Sequence, residues 1–555
     1  MMKCSVLFLC LSIFFLSALQ AQPLAGDYTI GGNSPDYSNF QAAVADLNTR
    51  GVDAAGVEFS VRDGIYEEAV LIKARGTSEG PIRFISESED ANAVQIKFGG
   101  SADVLRIQES SFIEFEHIKI SHTGLGSSSA IEISVNSDDI TIKNCIIEGQ
   151  AIKSTEYAGA TIYAISNTSE NDCERLTIEN NIVRNGTYGI CIIMSQQKPE
   201  GLLVSENKIE NFYGAGVLLT KLSKVVVDYN TIHTNQTGNS SAKGIELDEC
   251  TGRSQITGNY IYTTEEGRLG IGLNFGSSSS TSGNEIIVAN NSVQVQNKNS
   301  LCYGISQSNN SNWYLFHSNT VFVSGGTSSG NTCYNTFNAA HDTWLINNIF
   351  VNGSEASGAS ANKTVYIANA TALAGAKNNC YYTLQSGAPF RGTFGTAYTT
   401  FNAFVAATGE INGINLNPEM LFVDGKGWKA SNMALAGVGV DTSLFDEDID
   451  GKNRLVPTSI GAHELQVVTS VIPVKQKEDI QVFYSNGYLT ISSEQTSIKL
   501  FIYDLSGKKI YSTAIHKAKH EKALLPFVPD NKGIYLVNMV TSTGCNSWKV
   551  PVFDF

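Results

Sequence analysis

Residues 176–192 read LTIENNIVRNGTYGICI, and this stretch holds the grammar of the whole middle of the chain. Apolar and polar residues alternate through Leu176-Thr177-Ile178-Glu179-Asn180, which sends one face of a strand inward and the other outward. An Asn-x-apolar signature closes the strand, a turn follows, and Gly189-Ile190 opens another. The signature recurs at Asn144-Cys145-Ile146, Asn180-Asn181-Ile182, Asn207-Lys208-Ile209, Asn230-Thr231-Ile232, Asn259-Tyr260-Ile261, Asn291-Ser292-Val293, Asn319-Thr320-Val321 and Asn347-Asn348-Ile349. Successive Asn positions differ by 36, 27, 23, 29, 32, 28 and 28 residues. A Gly-[Ile/Val] signature runs in phase, at Gly189, Gly216, Gly244, Gly270 and Gly304. Such a period, with short strands and no helical pattern, marks a solenoid. One short strand cannot bury its apolar face, whereas stacked coils bury a continuous column of Ile, Val and Leu. A short amide side chain tolerates the sharp bend at a strand end, and stacked amides can donate and accept along a ladder. His117 stands where a ladder Asn is expected.

This pattern resembles the right-handed parallel β-helix of the pectate-lyase-like superfamily, with its asparagine ladder, over roughly residues 50–465. An open solenoid end exposes apolar side chains and strand edges and needs a cap. Phe40, Ala43, Val44 and Leu47 have the spacing of an amphipathic helix, and Ser38 with Gln41 forms a capping box in front of it. The stretches DYTIGGNSPDYSNFQAAVADLN (27–48) and VEFSVRDGIYEE (57–68) resemble the start of exported bacterial β-helix proteins. NPEMLFVDGKGWKASNMALAGVGVD (417–441) and DEDIDGKNRLVPTSIGAHEL (446–465) resemble their closing coils.

A different grammar follows residue 480. Leu489-Thr490-Ile491, the alternating Ile498, Leu500 and Ile502, and Gly533-Ile534-Tyr535-Leu536-Val537 predict short antiparallel strands. NGYLTI (486–491), IKLFIYDLSGKKIYS (498–512), GIYLVNMV (533–540) and the terminal KVPVF (549–553) resemble the C-terminal sorting domain of the type IX secretion system of Bacteroidetes. That resemblance implies passage through the periplasm and a secreted or outer-membrane-surface protein, with the secretion machinery as a partner. The expected fold class is all-β: a right-handed parallel β-helix solenoid with an N-terminal cap helix, then a small C-terminal antiparallel β-sandwich. Its divisions are a signal peptide (1–21), an N-terminal cap with the helix (22–56), the β-helix (57–465), a polar linker (466–480) and the sorting domain (481–555).

In the signal peptide, Lys3 precedes the apolar run Val6–Leu16, too short to span a bilayer, and Ala21 is the last residue before cleavage. The remaining chain has no transmembrane segment and reads as a monomer. A net charge of −15 over 555 residues with no basic stripe argues against nucleic acid as a partner. Beyond Cys4 and Cys10 in the leader, eight cysteines remain, a number that permits disulfides in an exported protein. Cys145 and Cys191 sit within repeat strands and read as buried apolar filler.

Stacked coils place equivalent outward residues in columns. Aligned on Gly-[Ile/Val], Glu246 and Asp248 are outward neighbours on one strand, flanked by Lys221 and Glu249, with Arg268 in the next turn and Asn274 on the next coil. Paired carboxylates can do acid/base work on a sugar. Lys143, Glu179, Glu206 and Tyr229 form a second outward column, and Tyr229, Tyr260, Trp313 and Tyr314 are outward aromatics suited to sugar faces. Asp446, Asp448 and Asp450 alternate before Gly451, a pattern that can hold Ca²⁺. Of the elements of polygalacturonase-like hydrolases only Asp138-Asp139 is present, so no catalytic residue carries over from the resemblance. Two functions stay open. One is a secreted or surface protein that binds extracellular polysaccharide or acts as an adhesin; the other is a polysaccharide lyase or glycoside hydrolase with a groove along the β-helix.

Overall fold

A computed structural model describes residues 22–465 apart from 135, 167–171, 196–197, 237–240, 266–268, 298–300, 309, 326–329, 338–340, 355–361, 386–387, 424 and 442–443. It also describes residues 481–552 apart from 486–487, 493–495, 505–507, 519–520, 529–532 and 542–543. The leader and the linker read from the sequence lie outside the described residues. The chain divides into two compact units, one ending at Leu465 and the other beginning at Gln466.

The first unit is a right-handed parallel β-helix of three sheets with 13, 12 and 13 strands, visited in that order by each coil. Sheet I runs from Leu24–Ile30 to Leu373–Lys377, sheet II from Gly64–Glu67 to Cys380–Thr383, and sheet III from Val70–Ile72 to Thr396–Tyr398. The first strand of sheet I thus falls inside the stretch read as a cap, and it pairs in parallel with Val57–Val61. Every strand sends alternate residues to the interior, as Ile140 and Ile142 do at 1% and 0% exposure. Phe59, Phe84 and Phe115 stack on successive coils with centroids 4.8 and 4.9 Å apart.

The bend between sheets I and II takes two residues. The first adopts a left-handed conformation: His117, Asn144, Asn180, Glu206, Tyr229, Asn290, Ser318, Asn347 and Asn378 all have φ between 51° and 56°. The second turns its side chain inward. This second position is the ladder, occupied by Asn181, Asn207, Asn230, Asn259, Asn291, Asn319, Asn348 and Asn379, none more than 1% exposed. Asn230 shows the pattern: its N and Nδ2 both donate to Asn259 Oδ1 at 3.0 Å, and Nδ2 also donates to Val204 O at 2.8 Å. Each amide therefore satisfies donors of one coil with an acceptor of the next.

The sequence reading of the ladder needs correcting at its ends. Asn144, Asn180 and Asn347 are the left-handed residues, and Cys145, Asn181 and Asn348 hold the ladder position beside them. Asn tolerates both positions, so Asn-Asn pairs leave a one-residue ambiguity. His117 likewise is a left-handed residue, and Ile118 takes the inward place. The Gly-[Ile/Val] register also shifts once. Gly244 stacks on Gly272, not Gly270, because Ile245 pairs with Leu273. A Cβ on Gly244 would run into Ile261 Cγ2 and the Gly272 carbonyl, so this position cannot carry a side chain.

Helix α1 (Phe40–Arg50) buries Phe40, Ala43, Val44 and Leu47. Its N-cap is Asn39 rather than Ser38, with Ala42 N donating to Asn39 Oδ1 at 2.9 Å. Gln41 donates instead to Ala69 O, and the buried Glu68 carboxylate accepts from Phe40 N and Gln41 N at 2.9 Å. At the far end helix α2 (Phe401–Thr408) buries Phe404 against Tyr381 and Phe390. Here the ladder ends on a carboxyl group: Glu410 accepts from Asn379 N at 3.0 Å and from the Tyr381 hydroxyl at 2.8 Å.

The second unit contains a three-stranded and a four-stranded antiparallel sheet around a separate core that includes Leu489, Ile491, Leu500, Ile502, Phe527, Val537 and Met539. Among the described residues the seven cysteines from Cys145 to Cys380 are all buried. Burial pushes the thiols of Cys145, Cys173, Cys250 and Cys380 up to about 12.

Two outcomes test the ladder. Asn259→Ala strips the acceptor from two buried N–H groups and should destabilise the fold by on the order of 3 kcal/mol; an unchanged melting curve would deny the ladder its role. Burial raises the Glu410 carboxyl from 4.5 to about 7. A group raised by folding contributes fully below its ordinary value and loses that contribution as pH climbs through the folded one. Stability should therefore decline between pH 4.5 and 7, by at most on the order of 3 kcal/mol from this group. Glu410→Gln, whose amide oxygen continues the ladder, should flatten that decline and melt higher above pH 7, as read by thermal melts across pH.

Candidate functional site

The outward face of sheet III is the most differentiated surface of the solenoid. In register across its coils stand Arg106, Glu132, Tyr163, Cys191, Leu218, Glu246 and Asn274. Their neighbours Ile190, Ile192, Leu219 and Leu247 point inward at 0% exposure. The middle of this outward column is apolar. Tyr163, Tyr188, Cys191, Ala215 and Leu218 cluster with Ala160, which belongs to the loop that leads from sheet II to sheet III. Thr187 Oγ1 pins that loop by donating to Glu156 O at 2.8 Å, and Ser129 Oγ donates to Ala158 O at 3.0 Å. Tyr157 on the loop lies 5.5 Å from the Tyr188 ring and is 46% exposed.

Charged groups bracket the apolar strip. At one end Glu246 accepts from Lys243 Nζ at 2.5 Å and from Asn274 Nδ2 at 2.9 Å. Asp248, two residues on, has its carboxyl pushed up by partial burial and by the nearby Glu249 and Glu246 charges, with Lys243 opposing. Burial, Cys191 and the fields of Glu246 and Asp248 raise the Tyr157 hydroxyl. At the other end Arg106 reaches Glu132 at 2.6 Å and Asp103 at 3.4 Å. Burial, then Asp103, raises Glu132 despite the guanidinium. The sequence reading missed this second group because no Gly-[Ile/Val] signature marks its coils; extending the strand alternation back to Ile131-Glu132-Ile133 was the available signal.

The predicted residues gather only in part. Glu246, Asp248 and Asn274 share the face, although Asn274 lies beside Glu246 and Gly276 lies beside Asp248. Lys221 sits in the following turn with φ 59°, 4.0 Å from Glu249. Arg268 lies outside the described residues. Tyr229 is 49% exposed on the bend between sheets I and II, beyond this face. Lys143 and Glu179 pair in sheet I, but Glu206 and Tyr229 are left-handed residues of the bend, so they form no single column. Tyr314 is a core residue at 0% exposure, stacked on Phe316, contrary to its outward reading. Asp138 and Asp139 serve the turn, bonding Glu174 N at 2.9 Å and Arg175 Nε at 2.8 Å.

Residues 446–465 fold back across the bend between sheets I and II and cover Tyr260. Three left-handed asparagines dock this segment and the stretch before it: Asn290 Nδ2 donates to Glu447 O at 3.0 Å, Asn347 Nδ2 to Val440 O at 2.8 Å and Asn378 Nδ2 to Val438 O at 2.7 Å. Arg454, 3.5 Å from the buried Glu464, also donates to Asn290 Oδ1 at 2.6 Å. The three aspartates considered for Ca²⁺ do separate work. Asp448, fully buried, accepts from Asp450 N, Lys452 N and Glu464 N. Asp450 accepts from the Tyr260 hydroxyl at 2.5 Å and from Lys426 at 2.7 Å. Asp446 lines a cavity of about 260 Å³ with His317, Asp441 and Arg454. Among the described residues no group of three His, Cys, Asp or Glu is placed to hold a metal.

Residues 133–321 match the family described as the right handed beta helix region, and residues 485–552 match the secretion system C-terminal sorting domain. The chain is a parallel β-helix protein carrying a sorting domain of the type IX secretion system. That domain indicates export to the cell surface or the extracellular space. No helix among the described residues is long and apolar enough to cross a membrane. Similar solved structures include a lacto-N-biosidase from Eubacterium ramulus, at 13% identity and TM-score 0.36 over 61% of this chain and 65% of that one. Others are a pectin methylesterase from Aspergillus niger, at 13% and 0.22 over 61% and 84%, and a capsular polysaccharide depolymerase, the tailspike of Acinetobacter baumannii bacteriophage Fri1, at 12% and 0.24 over 95% and 78%. Scores of this size assign no activity. A search of curated proteins found no match.

Because the oxygens of Asp448 and Asp450 are already engaged by N–H, ammonium and hydroxyl donors, chelation with EDTA should leave the melting temperature of the β-helix unchanged. A fall restored by added Ca²⁺ would return a cation to this segment.

Proposed function

We propose that this exported β-helix binds extracellular polysaccharide along the outward face of sheet III and acts as a surface adhesin. The observation that carries the reading is the strip from Tyr163 to Leu218, apolar and aromatic in the middle, with Tyr157 exposed over Tyr188 and carboxylates at both ends, beside Asn274 at one and Arg106 at the other. Pyranose rings offer apolar faces and hydroxyl edges, which suit such an arrangement. Strand spacing of about 4.8 Å makes the step from Glu132 to Glu246, four strands away, roughly 19 Å. This length fits a polymer better than a single sugar.

A second reading rests on Asp248. A carboxyl raised by burial, two residues from a Glu246 paired with Lys243, offers a candidate acid beside a second carboxyl group. Affinity electrophoresis against plant, algal and animal polysaccharides, run with assays for new reducing ends and for unsaturated uronates, separates the two readings. Retardation without chain cleavage, weakened roughly three- to tenfold by Tyr157→Ala, is the expected result. Cleavage abolished by Asp248→Asn would replace adhesion with hydrolysis or elimination, and retardation indifferent to Tyr157→Ala would move the site elsewhere.

A further inference from the structure

The hairpin Met420–Val423 and Gly427–Ala430 lies across the outer face of sheet II. Trp428 packs on Phe322 at 5.0 Å, and Phe422 comes within 6.1 Å of Tyr262. Between the hairpin and the closing segment is a cavity of about 150 Å³ lined by Val423, Lys426, Gly427, Lys429, Asp450 and His463. Two ammonium groups face one carboxylate there. Asp450 Oδ1 accepts from both Lys426 and the Tyr260 hydroxyl, while Lys429 stands 3.6 Å from Oδ2. His463 is 4% exposed; its Nε2 lies 3.4 Å from the Tyr260 hydroxyl, and its Nδ1 has no hydrogen-bond partner. A buried polar atom left unpaired costs stability unless something occupies it. Burial and the two lysines hold the imidazole neutral, its pKa down to about 3, so the surplus positive charge belongs to the lysines. This positive spot sits in a chain of net charge −15.

The geometry points to a site for the anionic group, carboxylate or sulfate, of an acidic sugar residue. The cavity admits the charged substituent and little more. The ammoniums of Lys429 and Lys426 face the anion, and the tautomer of His463 with its proton on Nδ1 supplies a third donor. At the mouth Phe422 is 49% exposed and Val423 38%, and Tyr262 stacks on His233 at 4.8 Å, so a ring carried by the anion meets an apolar platform. Asp450 fixes Lys426 in place and sets a threshold that neutral sugars do not meet. The site lies on sheet II, apart from the strip on sheet III, and stands or falls independently of it.

The test is calorimetric titration of the full-length chain with an oligogalacturonate, a sulfated oligosaccharide and a neutral oligosaccharide of equal length, with inorganic sulfate as competitor. At least one acidic oligomer should bind and be displaced by sulfate, and any binding of the neutral one, on the sheet III strip, should be indifferent to sulfate. Which acidic oligomer binds assigns the group as carboxylate or sulfate. Lys426→Met with Lys429→Met should weaken the sulfate-displaceable binding roughly tenfold or more. Lys429→Gln, which keeps the Lys426–Asp450 pair, serves if the double variant folds poorly and should also weaken binding. The His463 ring resonances should shift when inorganic sulfate is added. Sulfate-displaceable binding of the neutral oligomer, undiminished sulfate-displaceable binding by the lysine variants, or no heat and no His463 shift with any anion would overturn the site.

Discussion

Closing one coil of this chain on the next depends on the amide of a buried asparagine. A strand of three residues, such as Thr177–Glu179, cannot bury enough surface to hold its own ends. At the bend between sheets I and II, backbone N–H and C=O groups turn inward where water does not reach. Asn207, Asn230 and Asn259 answer this with one side chain each, accepting two N–H groups from the preceding coil and donating to a carbonyl. The repeat can vary in length elsewhere because only this corner must be identical from coil to coil.

The residue before each ladder asparagine carries the second constraint. It must adopt a left-handed conformation, which costs little for Asn and more for residues such as Glu206 or Tyr229. At Asn290, Asn347 and Asn378 its outward amide catches the backbone of the returning chain at Glu447, Val440 and Val438, whereas Asn180 Nδ2 donates to Asn144 Oδ1 on the neighbouring coil. One corner thus stacks the coils on its inner side and fastens the chain's return on its outer side. The return covers Tyr260, buries the Arg454–Glu464 pair and creates the lysine-lined cavity on sheet II.

Sheet III is free of that return among the described residues, and its outward side chains diverge from coil to coil. An apolar step from Tyr163 to Leu218 separates two charged groups, Asp103–Arg106–Glu132 and Lys243–Glu246–Asp248. The loop bearing Tyr157 buries Cys191 on the outside of the barrel, so an outward thiol is as inaccessible as those inside. These differences distinguish one face of an otherwise repetitive rod.

What the residues alone determined was the solenoid, its asparagine ladder, the change of grammar after residue 480 and the pairing of Glu246 with Asp248 on one strand. All of these follow from periodicity, which is local and repeats often enough to average out error. Tertiary structure decided the registers. Asn180 against Asn181 and Gly270 against Gly272 differ by one or two residues in sequence and by a whole face or strand position in space. It also decided the partners of residues far apart in the chain. Tyr260 meets Asp450 and Asn290 meets Arg454 across more than 150 residues, and no local pattern specifies such contacts. They arise because a rigid stack of coils offers a fixed row of hydrogen-bonding groups to whatever segment later folds across it.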